Sequence, residues 1–200
     1  MRIKPRFLVS AFFLLIAGAA SAQVEGHFGV KAGASSAKTG QVGTSSFISR
    51  YRTTFHLGGM YRLRVNRFVV QPELLFSNKG GSFKGTVNQL GGARTEVIRN
   101  NYNYLSAPLL LGWIPTEGLT LQVGPEFSYA LNTPRTNGPA RRQDLGVVVG
   151  VHYDFLDVLD KFSLHIRYIH GLQNISDNPI VERYNRTFQV SMVYNFYRKK

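Results

Sequence analysis

Cysteine is absent from the sequence. That excludes a disulfide framework, the usual support of a small exported domain, and predicts no cysteine-linked lipid anchor. Beyond residue 22 no stretch approaches the ~18 to 20 consecutive apolar residues of a transmembrane helix. A spanning helix is thereby excluded, while a membrane β-barrel stays open. Helical periodicity is almost absent as well. Acidic residues are scarce: 11 Asp and Glu stand against 24 Lys and Arg, a net charge of +13. Only three of the basic residues, Arg2, Lys4 and Arg6, lie near the start.

Those three precede the apolar run FLVSAFFLLIAGAA, and Ala20-Ser21-Ala22 offers small residues for cleavage. The pattern predicts a secretory signal over residues 1–22 and a single exported bacterial domain over 23–200. Export argues against nucleic acid as the partner of the basic surface. Phosphate-rich lipopolysaccharide is the anionic neighbour such a chain would meet.

The rest of the chain alternates with period 2 in eight segments of about ten residues, the length a membrane-spanning strand needs. They cover residues 27–35, 53–65, 68–78, 102–114, 119–131, 144–155, 162–172 and 187–197. The connections after the odd segments are long and rich in Gly, Ser, Asn and Thr. Those after the even segments are short: "NR", "PTEG" and "LDVLDK". Long loops on one side and short turns on the other fit an outer-membrane barrel with both termini in the periplasm.

A soluble barrel would turn its apolar face inward, and a membrane barrel turns it outward. The polar face decides. It is mostly Gly, Ser, Gln and Thr, too poor in charge for a solvated surface. Aromatics such as Phe68, Trp113, Phe127, Tyr168 and Phe196 cluster near segment ends on the apolar face, as interfacial girdles do. Small residues on the polar face, among them Gly33, Gly58 and Gly124, suit a narrow interior.

The fold class expected is all-β: an eight-stranded antiparallel up-and-down transmembrane β-barrel. Its interior would hold Lys31, His56, Arg62, Arg64, Glu73, Glu126, His152, Asp154, His165 and Arg167. Burying an unpaired charge is costly, so Lys31, Arg62, Arg64, Glu73, Glu126, Asp154 and Arg167 should form an ion network. Glu73 should pair with Arg62 or Arg64, one hairpin away. Eight strands leave an interior just filled by side chains, which predicts a plugged lumen. The loops would carry Lys79, Lys84, Arg94, Arg99, Arg135, Arg141 and Arg142, placed to meet lipopolysaccharide phosphates or another anion.

Two catalytic constellations can be drawn. Glu73 and Glu126, each next to a Pro, resemble a carboxylate pair for glycoside hydrolysis, but an internal salt-bridge network explains them better. His152, Asp154, His165 and Ser163 can be drawn as a hydrolytic triad, yet they fall near the periplasmic end, away from surface substrates. The histidines are single and scattered, so no metal motif is present, and no phosphate-binding glycine loop opens a helix. No catalytic residue and no cofactor is expected.

With the segments placed, "VVQPELLFSNKG", "YNYLSAPLLLGW", "LQVGPEFSYAL", "RYIHGLQNI" and "NRTFQVSMVYNF" together resemble the porin-family, PorT-like outer-membrane β-barrel proteins of Bacteroidota. The family usually has Glu and Ile before the Pro of the fourth segment, where Ser106 and Ala107 stand here. The resemblance implies an integral outer-membrane barrel without fixing an activity; one branch of the family serves secretion and gliding. A structural or binding role is expected. The alternatives are a secretion or gliding accessory, a narrow diffusion channel, and a barrel enzyme acting on lipid A or peptide. The terminal aromatics Tyr194, Phe196 and Tyr197 fit recognition by the barrel-insertion machinery, and further membrane-protein partners are compatible with the loops.

Overall fold

A computed structural model describes residues 24–42, 48–79, 82–89, 92–99, 102–132, 142–155, 159–174 and 182–196. The leader at 1–22 lies outside the described residues, as do Arg135 and Arg141. The strands are β1 (Val24–Val42), β2 (Ile48–Arg50), β3 (Arg52–Val65), β4 (Phe68–Lys79), β5 (Ser82–Gln89), β6 (Gly92–Arg99), β7 (Tyr102–Thr116), β8 (Leu119–Ala130), β9 (Gln143–Asp154), β10 (Phe162–Gly171) and β11 (Glu182–Phe196).

Eight of them close a barrel in the order β1-β11-β10-β9-β8-β7-β4-β3, each pair antiparallel, with β3 returning to β1. Closure pairs the backbone donors and acceptors that lipid cannot satisfy. The turns at one end are tight. Asn66, with φ 56°, serves the β3–β4 turn, and Gly118, with φ 80°, serves β7–β8. The left-handed region favours these residue types, Gly because it has no Cβ and Asn because its amide can bond locally.

Alternation decides which side chain goes where. Along β4 the exposed residues Phe68, Val70, Pro72 and Leu74 interleave with the buried Val69, Gln71, Glu73 and Leu75. The outer wall carries Phe28 and Phe68 at 66% exposure, Phe127 at 58% and Val149 at 57%. A soluble protein rarely exposes so continuous an apolar surface; a lipid-facing wall requires it.

Two expectations about elements need correction. The first and last barrel strands are longer than the segments 27–35 and 187–197, because Ala37–Val42 pairs with Glu182–Thr187 beyond them. The stretch after β4, expected as a solvated loop, contains the β5–β6 hairpin, and β2 joins it in a three-stranded sheet. Its Gly, Ser and Asn read as loop, but Thr86, Val87, Thr95, Val97 and Ile98 are strand formers, and a run from Gln89↔Gly92 to Ser82↔Arg99 pairs them. Lys84, Arg94 and Arg99 therefore belong to strands of this hairpin.

Candidate functional site

The interior is built from the inward positions of all eight barrel strands. Its apolar part includes Leu110, Val148 and Ile169, which pack together from β7, β9 and β10. The remainder is polar and arranged in three levels.

At mid-height Glu73 is fully buried. Its Oε2 accepts from Lys31 Nζ at 2.7 Å and from Arg167 Nη1 at 2.8 Å, and its Oε1 accepts from Gln71 Nε2 at 2.7 Å. Lys31 Nζ also lies 3.1 Å from His165 Nδ1. Arg167 extends the contacts in two directions: Nε donates to Gln189 Oε1 at 2.6 Å, and Nη2 stands 3.9 Å from Glu126 Oε2. Gln189 donates to Ser35 Oγ at 3.0 Å, which lies 2.8 Å from His56 Nδ1; His56 Nε2 is 2.6 Å from Ser191 Oγ. Charge-assisted bonds of this length are the strong ones, and each charged group here has a partner of opposite sign.

Toward the loop end, Lys79 Nζ donates to Glu126 Oε1 at 2.6 Å and to Ser128 Oγ at 2.9 Å, with the Tyr104 ring centroid 5.0 Å away. Ser106 faces the interior and shares a 2.8 Å hydroxyl contact with Ser128. Asn185 Nδ2 donates to Asp144 Oδ2 at 2.7 Å and reaches the Tyr104 hydroxyl at 3.5 Å.

At the turn end Arg62 Nη2 donates to Thr120 Oγ1 at 2.6 Å and lies 3.5 Å from Asp154 Oδ2. Asp154 Oδ1 accepts from Ser163 Oγ at 2.6 Å and stands 3.0 Å from His152 Nε2. Asn195 Nδ2 donates to Ser163 Oγ at 2.6 Å.

Three of these contacts join strands that are diametrically opposite in the barrel order: Asn185 on β11 to Tyr104 on β7, Arg167 on β10 to Glu73 on β4, and Arg62 on β3 to Asp154 on β9. Each spans the whole interior at its own height.

Three expectations fail on this geometry. Glu73 does not pair with Arg62 or Arg64; its cations come from β1 and β10, because the interior is narrow enough for long side chains to cross it. Arg64 is not among the buried groups. It lies at the turn-end rim, a third exposed, 3.1 Å from Glu117, with Nε donating to the Asn66 carbonyl. Lys79, expected on a surface loop, is the last residue of β4 and is 2% exposed, since its parity with Gln71, Glu73 and Ser77 turns it inward. Asp144, inside the expected segment 144–155 but not in the expected interior set, is the second residue of β9 and turns inward, 4% exposed. Among the described residues the interior thus holds four cations (Lys31, Arg62, Lys79 and Arg167) and four carboxylates (Glu73, Glu126, Asp144 and Asp154).

The drawn triad has the wrong order. Ser163 donates to the Asp154 carboxylate and not to His152, so no imidazole stands ready to take the hydroxyl proton. Glu73 and Glu126 are each held by a cation. Among the described residues no three His, Asp or Glu side chains are placed to share a metal ion. Of the basic residues expected on loops, Arg142 is exposed and donates to the Tyr129 hydroxyl at 3.2 Å.

An eight-stranded barrel, apolar outside and polar within, is the architecture of the outer-membrane protein β-barrel domain, whose family model matches residues 20–177. The chain belongs to this family. OprG, an outer-membrane protein of Pseudomonas aeruginosa, superposes with a TM-score of 0.53 at 10% identity, over 88% of this chain and 99% of that one. Ail, the attachment invasion locus protein of Yersinia pestis, gives 0.48 at 16% identity, over 86% and 99%. Neisserial surface protein A gives 0.46 at 15% identity, over 84% and 97%. At such identities the likeness is one of fold. No curated relative matches the sequence.

Proposed function

We propose that the protein is a plugged outer-membrane barrel with a structural or binding role, its interior closed to solutes and its loops turned to the cell surface. The observation that carries this reading is the set of three contacts between opposite strands, at the loop end, mid-height and turn end. A solute passing through would have to part Arg167 from Glu73, both fully buried. Breaking one buried pair costs several kcal/mol, about 3–5 by the usual measure. The charge balance among the described interior residues, four cations against four carboxylates, supports the same reading: they offer no excess of either sign to select an ion.

The domain limits at 23–200, periplasmic termini and surface loops that meet lipopolysaccharide are part of this proposal. Arg142, with Arg135 and Arg141 and with Lys84, Arg94 and Arg99 of the β5–β6 hairpin, would supply the basic surface contacts; the buried Lys79 would not. No catalytic role is assigned: Ser163 lacks a base, and the carboxylates are committed to cations. The finer likeness to PorT-like proteins of Bacteroidota, and a secretion or gliding role with it, rests on the quoted strand segments and predicts a co-purifying membrane complex. Liposome swelling tests the plugged interior. Proteoliposomes should swell in small sugars no faster than empty vesicles, and solute-dependent swelling would contradict the proposal.

A further inference from the structure

The loop end of the lipid-facing wall carries a groove of about 550 Å³, formed where β4, β7, β8 and β9 run side by side. Leu74, Leu105, Phe127, Tyr129 and Leu145 line it, and Ala107 is the small residue among them. Ala107 pairs with Phe127 across the β7–β8 ladder. On its other side it stands opposite Leu74 in a part of the β4–β7 ladder that is skipped between Pro72↔Leu109 and Leu75↔Ser106. A methyl group among large neighbours leaves the depression.

The groove is polar at one end only. Gln143 and Gln173 line that end with the nearly buried Ser128 and Asp144, whose carboxylate accepts from Asn185 in the interior, and the exposed Arg142 guanidinium sits beside it, 3.2 Å from the Tyr129 hydroxyl. An apolar trough that ends in an exposed cation and two amides, its one carboxylate, Asp144, turned inward and only 4% exposed, matches an amphiphile whose chain lies along the wall and whose anionic head meets Arg142. Arginine pairs with phosphate through short, charge-assisted bonds. We propose that the groove binds one acyl chain of a phosphorylated glycolipid of the outer leaflet, with Arg142 on its phosphate. This rests on the reading that the loops face the cell surface.

Native mass spectrometry of the full chain, extracted from outer membranes in mild detergent, tests it. The wild type should retain one phosphorylated glycolipid. Ala107→Phe, which fills the groove, should lower retention, and Arg142→Glu, which reverses the cation, should lower it about tenfold, the worth of one charged hydrogen bond. Arg142→Lys should keep most of it. Arg142→Glu lies outside the strands, and heat-dependent gel mobility of every variant separates lost binding from lost folding. No retained lipid in the wild type, or equal retention in a folded variant, overturns the inference alone. Retention of a glycerophospholipid instead overturns it together with the outward placement of the loops.

Discussion

At Glu73 two cations and an amide converge on two carboxylate oxygens, 2.7–2.8 Å from each. Glu73→Gln would leave Lys31 and Arg167 buried with their shared counter-charge gone. The expected loss is about 3–5 kcal/mol of stability, read as a lower urea midpoint of the folded barrel. Arg64→Ala should change the same midpoint by about 0–1 kcal/mol, because its contact with Glu117 is at the rim and screened by water. Lys79 gives a chemical test. Its ammonium should resist an amine-acylating reagent in the folded barrel and react after unfolding; ready modification of the folded protein would return it to the surface. Residue parity is legible in the sequence, and it sets Glu73, Glu126 and Arg167 on the polar face of their strands, where all three are buried. Partners were not legible, since they depend on which strands face each other across a closed ring. Lys79 falls outside the expected segment 68–78, which ends one residue before β4 does, and a side chain's direction follows from its strand.

Among the elements, the neighbouring strands β4, β7 and β8 carry prolines within their spans, Pro72, Pro108 and Pro125, with Pro115 near the end of β7. Pro72 and Pro125 are exposed on the outer wall, whereas Pro108 is buried. The ladders skip pairings near them, between Met60↔Glu73 and Leu63↔Val70 and between Pro108↔Glu126 and Leu111↔Val123, as a missing donor requires. Gly124 sits in the second gap. A Cβ there would lie 2.0 Å from the Leu109 carbonyl oxygen, so the glycine is needed for strand approach more than for room in the interior. Gly124→Val should abolish heat-modifiable mobility, and normal assembly of that variant would refute the close approach. The β5–β6 hairpin makes the opposite case. It belongs to a sheet separate from the barrel, so deleting residues 82–99 should leave a heat-modifiable barrel. The eight strands were legible because one face of each had to be apolar. The hairpin was not, because it lacks that demand and its turn-forming residues dominate the pattern.

For the whole molecule, the apolar exterior and the charge-balanced interior make one argument: lipid outside and paired charge inside. The wall assigns the protein to the membrane, and the contacts between opposite strands bear on whether anything passes through. Single-channel recording in planar bilayers tests that central claim directly. The wild-type protein should insert without conductance steps. The double variant Glu73→Ala/Arg167→Ala, which removes the mid-height contact between β4 and β10, should show brief small steps if it inserts. Reproducible, stable steps from the wild-type protein would contradict the plugged interior.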